Sequence, residues 1–178
     1  MTSASAGARA ESVEGRVEVL REAATMVLYV SVVEIAEFAA LPEDHFAHGR
    51  VTGPVGGQLL AILWGTALGL AIAHWFAFRV AAPGFRGEGP SVRDVQIGLA
   101  QLGGAVFVAA VSSLPVWLFS DVRAQETVGD VPAVIIGVIG YFIARASGRS
   151  RLPSAFYGLT ALALGIVVAL VKSMLAAH

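Results

Sequence analysis

Five apolar runs, each close to the length of a membrane-crossing helix, divide this chain and leave little else in it. A helix needs about 20 apolar residues to cross a hydrocarbon core of roughly 30 Å. The runs fall at about Ala23–Leu41, Gln58–Phe78, Val95–Phe119, Val131–Ala144 (with an approach from Thr127) and Pro153–Leu175. Pro42 stops the first. Pro115 is placed to kink the third, since proline lacks the amide proton that bonds one turn back. Pro153 opens the fifth in a favourable first-turn position. The connections between runs are rich in glycine, proline and charge. The expectation is an all-α, polytopic membrane protein, a bundle of five transmembrane helices. A disordered stretch, residues 1–10, would precede a single domain over residues 11–178. Glu11–Glu22, with Val13, Val17 and Leu20 among acids and arginines, reads as a short amphipathic helix continuous with the first run.

Composition agrees with that class. Hydrophobic residues make up 56% and charged residues 14%, against about 45–50% and about 25% in soluble domains. A net charge of −1 supplies no basic field for nucleic acid. The absence of cysteine excludes disulfides, thiolate metal sites and cysteine catalysis. No removable signal peptide is expected at the start of the chain, so the first span would direct its own insertion.

Basic residues predict the orientation. Arg9, Arg16, Arg21, Arg79, Arg86, Arg93, Arg145, Arg149 and Arg151 all fall on one side of a five-span arrangement. Only Arg50, Arg123 and Lys172 fall on the other. The side richer in Lys and Arg is cytoplasmic, which puts the N-terminus inside and the C-terminus outside, in a multi-pass protein of the cell inner (plasma) membrane. The opposite rim is acidic, with Glu43, Asp44, Asp121, Glu126 and Asp130. It either gathers cations or is a by-product of topology.

Chemistry points to the first span. Glu34 and Glu37 lie three residues apart and share a helix face with Ser31. A carboxylate at membrane depth costs about 3 kcal/mol on insertion scales, so it needs a partner, a proton or a function. Two so close in a low dielectric do not both ionise easily without a cation. The pair suits proton relay or cation binding; the alternative is a structural pair, either protonated or bonded to hydroxyls and to Lys172. Lys172 itself either pairs with Glu37 or Asp130 or extends its ammonium to the outer interface. His74, in the inner third of the second span, is placed to continue a proton path or to serve as a packing histidine. Gln96, Gln101, Ser112 and Ser113 are further polar groups able to line one. Glu43, Asp44, His45 and His48 contain donors for a divalent metal, with solvent-facing loop residues as the alternative.

Small residues repeat every fourth position at Gly65, Gly69 and Ala73, at Ala133 and Gly137 with Gly140 beyond, and at Ala161, Gly165 and Ala169. Such stripes let helix backbones approach, within a bundle or between protomers. Trp64, Trp75 and Trp117 fit an interfacial placement. No internal repeat argues for an inverted-repeat carrier. The nucleophile elbow, the zinc-protease helix, the P-loop and the dinucleotide fingerprint are all absent from the sequence, and no cofactor is expected.

From the REAATMVLYVS entry through LAIAHWFAFRV to ALVKSML, the chain resembles small integral membrane proteins of high-GC, actinobacterial-type bacteria. The resemblance implies a multi-pass bacterial membrane protein and brings no activity or residue roles with it. Three functions follow as expectations. The first is passage of a small cation or protons along a path lined by Glu34 and Glu37, with His74 below, in a homo-oligomer if one bundle is too narrow for a pore. The second is a non-catalytic assembly or partner subunit. The third is an intramembrane enzyme acting on lipid with the glutamates as acid and base. The lipid bilayer is a partner in each.

Overall fold

A computed structural model of the chain describes residues 2–41, 53–86 and 91–176. Every regular element among them is helical: α1 Thr2–Phe38, α2 Gly57–Arg86, α3 Val92–Ser112, α4 Leu114–Leu118, α5 Asp121–Val128, α6 Asp130–Ala146 and α7 Arg151–Ala176. Four stretches are long and apolar enough to cross a membrane: Gly57–Ala77, Val92–Leu118, Arg123–Ala146 and Arg151–Val168. The last 18 residues of α1 do not meet that measure, because they hold Arg21, Glu22, Glu34 and Glu37.

The most polar of the long helices is nevertheless the central one. α1 packs against α2, α3, α6 and α7. Its Met26, Val27 and Val30 join Ala67 and Ala71 of α2, Ala105, Val108 and Ala109 of α3, and Ile135 of α6 in the main core. The outer helices turn large apolar side chains away from the bundle, among them Phe76, Leu99, Phe107, Phe142 and Leu159. This is the arrangement expected of a bundle in lipid, where the acids must face protein and the apolar faces have no reason to hide.

Side-chain pairs along the helices fix their directions. Glu18 meets Arg93, Glu22 meets Gln101, and Glu34 meets Ser112, so α1 and α3 run parallel. Glu37 meets Thr66 and Trp75 meets Gly98, so α2 runs against both. α6 and α7 are antiparallel, with Ile136 against Gly165 and Gly140 against Ala161 and Gly158.

Close approach depends on glycine at a few positions. A Cβ on Gly104 would lie 2.8 Å from the Ala23 carbonyl oxygen, so α3 touches α1 backbone to backbone there. A Cβ on Gly158 would lie 2.6 Å from the Gly137 carbonyl oxygen. The predicted stripe at Gly137 and Gly140 is therefore a seam inside the bundle, joined by Gly158. The stripe on α2 behaves differently. Gly65 and Gly69 have nothing within 4 Å of a Cβ position, and with Ala73 they are exposed.

Several boundaries depart from expectation. α1 is one rod from Thr2 to Phe38, longer than the first apolar run. α2 runs on to Arg86, past Pro83, which removes one donor without ending the helix. The connection after the third run holds a helix of its own, α5, whose Ala124 and Val128 pack on Leu59 and Leu63 of α2. A polar sequence there conceals an amphipathic one. Where a kink was expected at Pro115 the helix is interrupted: α3 ends at Ser112 and α4 restarts at Leu114, with Pro115 in its first turn.

Candidate functional site

Ser31, Glu34 and Glu37 follow one another at three-residue spacing on α1, on the face that meets α2 and α3. Glu34 is 0% exposed, as is Ser31; Glu37, one turn further along α1, is partly buried. The Ser112 hydroxyl donates to Glu34 Oε2 at 2.8 Å. The break before Pro115 leaves Ser112 at the end of α3, level with Glu34. The Thr66 hydroxyl of α2 donates to Glu37 Oε2 at 2.6 Å. Beside them, Trp64 Nε1–H donates to Ser113 Oγ at 3.1 Å, and the Ser113 hydroxyl donates to the Ala109 carbonyl at 2.6 Å.

Part of the site's polar capacity is unused. Glu34 Oε1 and Ser31 Oγ are buried without a hydrogen-bond partner among the described residues. Buried polar atoms without partners are uncommon and cost about 1–3 kcal/mol each. Both sit on one helix face, one turn apart. All the groups here are oxygens: two carboxylates and three hydroxyls, from Ser31, Thr66 and Ser112. That donor set suits a proton or a hard cation, not a soft metal.

A second polar cluster lies on the same helix, nearer its N-terminus. Gln101 Nε2–H donates to Glu22 Oε2 at 3.1 Å. Glu22, Thr25, Met26, Tyr29, His74 and Gln101 line a cavity of about 220 Å³. Below it, Arg93 and Glu18 form an ion pair at the start of α3. Glu22 and Glu34 are twelve residues apart, about 18 Å along the axis. Between them lie Met26, Val30, Ala105 and Val108, all buried and apolar. The structure thus brings Ser31, Glu34 and Glu37 together. It brings His74 and Gln101 together in a separate compartment. A buried apolar layer divides the two.

Thr66 went unnoticed in the sequence reading. Its only signal is a hydroxyl residue inside the apolar run of α2, and threonine is common there. Lys172 lies on α7, but its side chain is outside the described residues, as are Glu43, Asp44, His45 and His48. Among the described residues no group of three or more His, Cys, Asp or Glu is placed to hold a metal. Gln96 is exposed and does not enter either cluster.

No family model, curated protein or solved structure matches the chain.

Proposed function

We propose that the chain is a five-helix bundle of the bacterial plasma membrane, N-terminus cytoplasmic, that passes protons or another small cation through Glu34. α1 is then the fifth span, carried across the bilayer by the four apolar helices around it. The observation behind this reading is the buried Glu34 carboxylate with a vacant acceptor oxygen, next to the unpartnered Ser31 hydroxyl. A purely structural acid would be expected to satisfy both oxygens. Glu37, held by Thr66 and partly open, is the outer entry. Glu22 and His74 form the inner exit. A separation of about 18 Å is too long for one proton transfer, so the apolar layer at Met26 and Val30 acts as the closed gate, and water must enter it for transfer to occur.

Reconstitution into proteoliposomes with an imposed pH or cation gradient tests this. Flux is expected from the wild type and not from Glu34→Gln. Equal flux in the two removes the mechanism.

A second reading, a non-catalytic partner subunit, is favoured by the exposed α2 stripe at Gly65, Gly69 and Ala73. A stoichiometric membrane partner on purification, with no flux from the chain alone, would support it.

A further inference from the structure

A groove of about 360 Å³ runs between α2 and α3 on the outside of the bundle, away from the glutamates. It is lined by Ala71, Ile72, Trp75, Gly98, Leu99 and Leu102, with Arg79 and Asp94 at one end. Its floor depends on Gly98: a Cβ there would lie 3.0 Å from Trp75 Cδ1 and 3.3 Å from Nε1. The bare backbone lets the indole come close against α3. The Arg79 guanidinium sits 5.0 Å over the same ring. Among the described residues Arg79 enters no ion pair. Asp94 caps its own helix, accepting from the Ser91 amide at 2.9 Å in a capping box.

Depth and charge identify an occupant. Arg79 lies 22 residues past Gly57, about 33 Å along α2, one hydrocarbon thickness from the helix start. Asp94 is in the first turn of α3. The charged end is thus at the level of lipid headgroups, where tryptophan and arginine are at home. The apolar part runs eight residues inward on each helix, Arg79 to Ala71 and Asp94 to Leu102. That is about 12 Å, most of one leaflet's share of about 15 Å. A channel that is apolar along a leaflet and carries a guanidinium beside the Asp94 carboxylate at the interface matches a lipid tail and its phosphate. Arginine recognises phosphate oxygens through a planar, multiple-donor face, and basic pockets between spans bind phospholipid headgroups.

We infer that this groove is a specific phospholipid site, with one acyl chain along Ile72, Leu99 and Leu102 and the phosphate diester on Arg79. It rests on the chain lying in a bilayer and not on any ion path through Glu34. The bound lipid fills the space between α2 and α3 and ties the end of α2 to the start of α3.

Native mass spectrometry of the detergent-purified full chain tests the site. The wild type should retain one phospholipid per protomer. Phosphatidylglycerol and phosphatidylethanolamine should both exchange into it, and diacylglycerol with the same chains should not. Arg79→Gln removes the charge and Leu99→Trp fills the groove; both positions are exposed. Each should lower retention by about tenfold or more, while Arg16→Gln, on the N-terminal part of α1, leaves it unchanged. Wild-type retention in either groove variant overturns the site, as does diacylglycerol held as well as phospholipid or a wild type that retains no lipid. The readout is independent of flux, so a failed ion path and a failed lipid site are told apart.

Discussion

The Ser112 hydroxyl reaches across from α3 to Glu34 Oε2 at 2.8 Å, joining residues 78 apart in sequence at the buried centre of the bundle. That bond satisfies one carboxylate oxygen and leaves the other free. Removing either partner therefore has different consequences for stability and for function.

Ser112→Ala deprives Glu34 of its one described donor and should cost about 1–3 kcal/mol. Glu34→Gln keeps the shape, can still accept from Ser112, and should cost about 1 kcal/mol or less, yet it should abolish flux. Thermal unfolding in mild detergent, run beside the proteoliposome assay, reads both quantities. Equal destabilisation by the two substitutions would mean that Glu34 is held by its charge and not by this bond.

Gly158→Ala should loosen the bundle, because the new methyl would lie 2.6 Å from the Gly137 carbonyl oxygen and α6 must move from α7. Overpacking of this kind costs about 1–3 kcal/mol. Gly65→Ala, with nothing within 4 Å of the added carbon, should stay within about 0.5 kcal/mol. The same unfolding measurement ranks them. A large loss at Gly65 would show that a partner covers the α2 stripe.

Thr66→Val removes the hydroxyl that donates to Glu37 while keeping the volume. We expect a loss of about 1 kcal/mol and a reduced but measurable flux, smaller in effect than Glu34→Gln. Complete loss of flux would move the essential carboxylate from Glu34 to Glu37.

The chain holds no cysteine, so single cysteines report topology directly. Ser120, before α5, and Ser147, after α6, are both exposed. Ser120→Cys should react with an impermeant maleimide in intact cells, and Ser147→Cys only after permeabilisation. The opposite pattern would invert the proposed orientation.

How much was legible beforehand depended on whether the signal was local. The apolar runs over α2, α3, α6 and α7 were readable because crossing hydrocarbon is a property of each helix by itself. A distortion at Pro115 was readable because a missing amide proton acts within one turn. Ser31, Glu34 and Glu37 fell on one face because helical geometry alone puts them there. α5 was missed because its apolar positions, Ala124 and Val128, are few and set among charges. Thr66 was missed because nothing in its neighbourhood along the chain distinguishes it.

Side-chain chemistry along the backbone thus settled that the protein is helical, that four of its stretches are long and apolar enough to cross a membrane, and which acids are hard to place among them. Three-dimensional packing alone decided that the acid-bearing helix lies at the centre, that Ser112 and Thr66 are its partners, and that His74 keeps company with Glu22. It also separated two similar glycine stripes into an internal seam and a bare face. The reason is that a helix fixes its own surface pattern through bonds four residues long, whereas which surface meets which depends on competition among all the helices for the few faces that can pack closely.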